Sequence, residues 1–107
     1  MTQAYAETDP PRADIDALKV PTLLEFGSNT CGICRATTPH VMAALDGHPG
    51  VKHIRIEDGR GRRLGRSFGV KLWPTLVFLD GGKEVARLVR PRDAGAISQA
   101  LAAIDQD

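Results

Sequence analysis

The sequence predicts an α/β domain in which helices cover both faces of a central mixed sheet. Two observations carry this. Short apolar runs alternate with helix-like runs, in the order helix, strand, helix, strand, helix, strand, strand, helix. Strand–helix–strand units imply right-handed crossovers and a parallel core, and a Gly-rich turn near the end adds an antiparallel edge.

Residues 14–19 suit a short helix, with Asp14 as cap before Ile15 and Leu18, and Pro21 closes it. Residues 22–26 are apolar and precede Gly27-Ser28-Asn29, which suits a buried strand. Helical character runs from Cys31 to Leu45 and stops at Asp46-Gly47-His48-Pro49-Gly50. Pro39 lies inside that helix and should kink it. Residues 51–57 alternate, with Val51 and His53 against Lys52, Ile54 and Ile56, and read as a second strand. A short basic helix is expected over 62–68, ended by Gly69. Trp73-Pro74 leads into a third strand over 75–79, where Pro is tolerated at the start because its missing N–H matters least. Asp80-Gly81-Gly82-Lys83 is a hairpin signal leading into residues 84–89. A last amphipathic helix is expected over 93–104, with Ile97, Leu101 and Ile104 on one face. No internal repeat or low-complexity tract interrupts this order.

At 107 residues the chain suits one domain, expected over 14–107, with residues 1–13 and their Pro10-Pro11 pair as a mobile lead-in. A net charge of +1 gives no global push toward nucleic acid or membrane. No N-terminal stretch pairs a basic start with an apolar core, and no apolar run approaches the roughly 20 residues of a membrane span. A cytoplasmic location is therefore expected, together with a monomer. In that compartment two cysteines favour a reactive or metal-binding role over a structural bridge.

The two cysteines are Cys31 and Cys34, in Cys31-Gly32-Ile33-Cys34 at the first strand-to-helix junction. Such a junction aims backbone N–H groups and the positive end of a helix dipole at the first helical residues. A thiol there loses its proton more easily, and the thiolate is the form that attacks disulfides. The two-residue spacer brings the second sulfur back over the first. Residue type and position thus describe a redox couple.

These residues resemble the thioredoxin superfamily from about residue 13 onward. The likeness rests on the apolar strand, the CxxC pair, Arg35, Pro39 five residues past the second cysteine, Pro74-Thr75 opening a strand, the Gly-rich hairpin and the closing helix. The resemblance implies a thioredoxin fold with a four- or five-stranded sheet. It makes Cys31 the attacking thiolate and Cys34 the buried resolving thiol, and it puts Pro74 after a cis peptide bond against the cysteine pair. It further implies that Trp73, Pro74, Gly32 and Ile33 form the surface that binds an extended substrate segment. No cofactor is implied beyond a redox-active Cys31–Cys34 disulfide. The partners are protein disulfides or dithiols, plus a reductant or oxidant.

The exchange chemistry follows from general principles. Cys31 attacks a partner disulfide, and Cys34 then attacks Cys31 and releases the reduced partner. Cys34 must lose a proton in that step. Glu25 lies six residues before Cys31, where the family commonly has a buried Asp. A carboxyl in a buried strand is expected to have a raised pKa and to exchange that proton.

Several residues depart from the family pattern. Gly27 and Thr30 stand where typical thioredoxins carry tryptophans, Ile33 replaces the usual Pro of the spacer, and Trp73 replaces a smaller residue. The 57–74 stretch is about two residues longer than usual. The chain therefore reads as divergent from housekeeping thioredoxin.

Other readings compete. Cys31, Cys34, His48 and His53 satisfy a C-x2-C-x13-H-x4-H zinc pattern, but Pro49-Gly50 between the histidines breaks the single helix that a C2H2 finger needs. A redox-inactive interaction module is the other alternative, although such modules usually lose a cysteine. Glu25 could face solvent, and Trp73 could be a packing residue. His40 and His53 read as surface or strand-face residues rather than bases. Arg60, Arg62, Arg63, Arg66 and Lys71 read as a solvated helix face or as a patch that steers an acidic protein. No aromatic set is interleaved for nucleic acid.

Overall fold

The computed structural model describes residues 4–105. Their elements run α1 (Arg12–Asp16), β1 (Thr22–Gly27), α2 (Gly32–Asp46), β2 (Lys52–Glu57), α3 (Arg63–Ser67), β3 (Thr75–Asp80), β4 (Lys83–Val89) and α4 (Ala94–Ile104). The predicted order holds throughout. At its start α1 differs: Pro11 occupies the cap position without a side-chain bond, and Asp14 lies in the first turn. Pro is favourable at a helix start because its φ is already helical and its missing N–H is one of the unpaired ones. At α4 the expected cap is made, with Asp93 accepting from the Ala96 N–H at 2.8 Å.

Four strands form one mixed sheet in the order β2-β1-β3-β4. Only β1 and β2 are parallel, while β3 runs antiparallel to both β1 and β4. The expected parallel core is thus a single pair. The register gives the reason. β2 leaves the sheet at Glu57, opposite Gly27, and β3 starts at Thr75, opposite Phe26. The 58–74 connection therefore joins strand termini at the same end of the sheet, and the five-residue α3 does not carry the chain back along it.

Strand alternation divides the core into two layers. On one face Leu23, Leu76 and Phe78 meet Val41 and Ala44 of α2 and Ile97, Leu101 and Ile104 of α4. On the other, Leu24, Phe26, Val77 and Leu79 meet Ile15 of α1 and Leu64 and Phe68 beside α3. Each of these Leu, Ile, Val and Phe side chains contributes roughly 1.5–3 kcal/mol when fully buried. Alternation also aims Glu25, two residues beyond Leu23, at the α2 face.

The β3–β4 hairpin turns on Gly81 (φ 59°) and Gly82 (φ 80°). Both glycines sit in the left-handed region that a two-residue type I′ turn requires. Gly82 is constrained further, because a Cβ there would run into the backbone carbonyl of Asp16.

The segment before α1 differs from the expected lead-in. Tyr5 is buried, and Ala6 pairs with β2 through an N–H bond to Arg55 O (2.9 Å) and a bond accepted from Glu57 N–H (2.8 Å). Residues 1–3 of that segment lie outside the described residues, as do residues 106 and 107.

Candidate active site

Cys31 caps the N-terminus of α2, and its Sγ accepts a hydrogen bond from the Cys34 N–H at 3.2 Å. The two thiols are free. Cys31 is partly exposed, whereas Cys34 is wholly buried one helical turn further on. Burial pushes the Cys34 thiol up to about 11, reinforced by its hydrogen bond to Cys31. A backbone hydrogen bond with Ser28 opposes the rise. The expected division into one accessible and one shielded sulfur is present.

Within α2, Pro39 has no N–H to give the Arg35 carbonyl. Directly before it, Thr37 and Thr38 turn their hydroxyls back onto the Ile33 and Cys34 carbonyls, each at 2.9 Å. Such back-bonding occupies backbone acceptors just where the helical ladder is interrupted. Gly32 and Ile33 are exposed, and nothing approaches the Gly32 backbone where a Cβ would sit.

Glu25 is fully buried, so the solvent-facing reading fails. Its carboxylate collects three partners: the Tyr5 hydroxyl (2.6 Å), His53 Nε2 (2.8 Å) and Arg55 Nη2 (3.3 Å). Arg55 is the direct cross-strand neighbour of Glu25, and the same Nη2 reaches Thr38 Oγ1 at 3.2 Å. The expected raised pKa is corrected here. Burial does push the Glu25 carboxyl up, but the hydrogen bonds from His53 and Tyr5 and the charge of Arg55 outweigh it. The net shift is downward, and the cluster holds Glu25 as a carboxylate. His53, read from sequence as a surface or strand-face residue, lies on β2 as the cluster's partly exposed member.

A pH consequence follows from this direction. A carboxyl depressed on folding contributes stability that is complete above its ordinary value of 4.5 and is lost as pH falls through the folded value. Urea denaturation is expected to show unfolding free energy dropping below about pH 4.5 in the wild type, with a shallower drop in Glu25→Gln. Parallel curves for the two proteins would contradict the assignment.

Sequence reasoning missed Tyr5, Arg55, Thr38 and Asn29. Arg55 was hidden by the alternation of its apolar neighbours; its signal was its pairing across from Glu25, which needs the register. Tyr5 lies in the segment read as a lead-in, although it is the chain's single tyrosine. Asn29 holds it with two bonds, accepting from Tyr5 N–H (2.9 Å) and donating to Tyr5 O (3.2 Å).

The Trp73–Pro74 peptide bond is cis. Trp73 is half-buried, and its indole N–H donates to Asp58 Oδ2 at 2.9 Å. Arg90, with φ at 52°, fixes this turn from the end of the hairpin: its N–H reaches Pro74 O (2.9 Å) and its Nε reaches Trp73 O (2.8 Å). Beside Trp73, a cavity of about 470 Å³ is lined by Arg60, Arg62, Arg66 and Lys71. Arg62 is balanced by Glu57 at 3.3 Å.

The zinc arrangement is not assembled. His48 Nδ1 lies 2.6 Å from Asp105 Oδ2, and His53 is held by Glu25, so neither ring joins the cysteines. Among the described residues no group of three or more His, Cys, Asp or Glu could hold a metal ion. No helix among the described residues is long and apolar enough to cross a membrane.

The thioredoxin family profile matches residues 7–103. The chain belongs to the thioredoxin family. Thioredoxin-2 of Saccharomyces cerevisiae is 30% identical to it over 100 residues, covering 94% of this chain and 92% of that one. The thioredoxin of Chlamydia muridarum is 32% identical over 75 residues, covering 70% of this chain and 74% of that one. Reduced thioredoxin 2 from Pseudomonas aeruginosa PAO1 superposes with a TM-score of 0.87 at 48% identity, covering 97% of this chain and 96% of that chain. This thioredoxin-fold chain is a thiol–disulfide oxidoreductase, and its two adjacent cysteines suit the redox pair.

Proposed function

We propose that the chain exchanges disulfides with protein substrates through Cys31 as nucleophile and Cys34 as resolving thiol. The observation that carries this is the contrast within the pair. One sulfur is accessible and receives a backbone N–H, and the other is buried three residues away. The accessible sulfur attacks a substrate disulfide, the mixed disulfide forms on Cys31, and Cys34 closes the ring by attacking Cys31.

The buried thiol needs help. Burial pushes the Cys34 thiol up and keeps it protonated at neutral pH. Formation of the mixed disulfide removes the contribution of Cys31 to this rise, but that of burial remains. Glu25, held as a carboxylate in the same polar cluster, is the proton acceptor in this reading. Substrate backbone lies along Trp73 and Pro74 and over Gly32 and Ile33. The exposure of Gly32 and Ile33 supports that placement.

No cofactor is needed in this scheme, because the reduced Cys31–Cys34 dithiol carries the two electrons and becomes a disulfide on giving them up. The protein acts as a monomer in the cytoplasm, and a reductant or oxidant partner resets the pair. Which of the two it meets depends on the pair's potential against its compartment.

Reduction of insulin disulfides by the dithiothreitol-driven protein tests the reading. The wild type is expected to accelerate the reaction, and Cys31→Ser is expected to return it to the rate with dithiothreitol alone. Full activity in Cys31→Ser would overturn the assignment of the nucleophile.

A further inference from the structure

The end of the sheet that carries the thiols also carries a concentration of positive charge. β1 leads from Gly27 into the loop before Cys31, and β2 ends at Glu57, directly opposite Gly27. β3 begins at Thr75, opposite Phe26, so Trp73 and Pro74 lie at that end too. The loop and the 58–74 connection touch there. Asp58 N–H donates to Gly27 O at 2.8 Å, and Asn29 Nδ2 donates to Glu57 Oε2 at 3.4 Å. The cavity of about 470 Å³ beside Trp73 lies within this connection.

Specific contacts hold its wall in place. Gly69 takes φ 69° just past α3, which lets Val70 N–H turn back onto Gly65 O at 2.9 Å. Asp58 accepts from the Trp73 indole at 2.9 Å, and Gly65 packs so closely on the same carboxylate that a Cβ there would overlap it. Arg87 of β4 anchors the end of α3 through Phe68 O at 2.6 Å. On this frame Arg60, Arg66 and Lys71 are exposed, and among the described residues no carboxylate pairs with any of them. With Arg62 they put four cationic side chains in the wall against the single carboxylate of Asp58, on a chain whose net charge is only +1.

We propose that this cavity docks an acidic segment of the protein substrate, beside the disulfide that Cys31 attacks. The inference rests on the reading of Cys31 as nucleophile toward protein disulfides. Guanidinium groups take carboxylates through paired N–H donors, which suits Arg60 and Arg66 to Asp and Glu side chains. The wall holds one aromatic ring, Trp73, and its N–H is already given to Asp58, so the set of stacking platforms that a nucleic-acid strand uses is lacking. Exposed ion pairs add little affinity one by one, but a charged cleft raises the encounter rate with an oppositely charged partner. The effect therefore falls on the rate of the first exchange and fades with salt.

Reduction of disulfide-linked peptides by the reduced protein in a stopped-flow instrument tests this, with Glu or Gln residues placed beside the cystine. The Glu peptide is expected to react about tenfold faster than the Gln peptide at about 0.01 M salt, and the ratio should approach one at about 1 M salt. In Arg60→Ala/Arg66→Ala the low-salt ratio should also fall near one. Lys19→Ala/Lys52→Ala removes the same charge at the other end of the sheet, where Lys52 opens β2, and should keep the wild-type ratio. Equal rates for the two peptides in the wild type, or the same fall in both double variants, would overturn the docking surface.

A second measurement does not use the thiols. Trp73 is the chain's single tryptophan, so its emission reports occupancy of the cavity by the same peptides with Ser in place of each Cys. Saturable change with the Glu peptide, lost in Arg60→Ala/Arg66→Ala, is expected. Binding without any peptide reduction would keep the docking surface and remove the exchange reading, whereas reduction of both peptides at equal rates with no change at Trp73 would do the reverse. Tighter binding of a single-stranded DNA of equal charge would overturn an acidic protein segment as the occupant.

Discussion

Cys34→Ser is expected to accumulate a covalent mixed disulfide between Cys31 and its substrate. The wild-type protein resolves that species because Cys34 is held next to Cys31, with its N–H already bonded to the Cys31 sulfur at 3.2 Å. A well-oriented intramolecular group acts as if present at about 10⁵ M or more, far above any thiol in solution. Removing Cys34 leaves only external thiols to cleave the intermediate, so release should slow by at least about 10³-fold. Serine keeps the size of the side chain and its place under α2, so the fold should be retained. Mass spectrometry of the variant after incubation with insulin or cell protein reads the result. A single adduct on Cys31 is expected, and an absence of adduct would count against the mechanism.

The second large effect concerns stability. Glu25→Ala is expected to cost about 3–5 kcal/mol, because it removes one partner of a buried ion pair. In the wild type the Glu25 carboxylate sits 3.3 Å from an Arg55 guanidinium that is only 8% exposed. Without the carboxylate the positive charge stays in the interior opposite an apolar methyl, and the Tyr5 hydroxyl and His53 also lose their acceptor. A domain of this size has a total stability of about 5–15 kcal/mol, so the loss would be a large share. Removing both charges, as in Glu25→Leu with Arg55→Leu, should recover a substantial part, since a pair of apolar side chains carries no desolvation cost. Urea denaturation measures all three proteins. A loss below about 1 kcal/mol in Glu25→Ala would show that the cluster is not a stabilising unit.

The sequence was informative wherever one local rule decided the outcome. The Asp-Gly-Gly-Lys turn specified its hairpin because two consecutive residues had to take positive φ. Ile97, Leu101 and Ile104 specified the buried face of α4 by spacing alone. Cys31 was legible at a strand-to-helix junction, and the structure adds that it caps α2.

Features that join distant segments were not legible. The direction of β3 depends on whether the 58–74 connection carries the chain back along the sheet, and no local periodicity encodes that. Arg55 looks like the polar side of an alternating strand until register puts it beside Glu25. Tyr5 looks like part of a loose leader until Gly27, Asn29 and β2 are seen to receive it. The Glu25 pKa direction failed for a related cause. Burial was inferable from the strand, but the three partners that reverse its effect come from two other segments.

Oxidation and reduction of the Cys31–Cys34 pair by glutathione buffers of graded potential test the central claim most directly. The account predicts one two-electron transition, tenfold in the ratio of oxidised to reduced protein for about every 30 mV, ending in an intramolecular Cys31–Cys34 disulfide. Cys31→Ser and Cys34→Ser should each lack it. A protein that bound glutathione on Cys31 without ever closing the ring, or that held stoichiometric zinc on reduced thiols, would contradict the account.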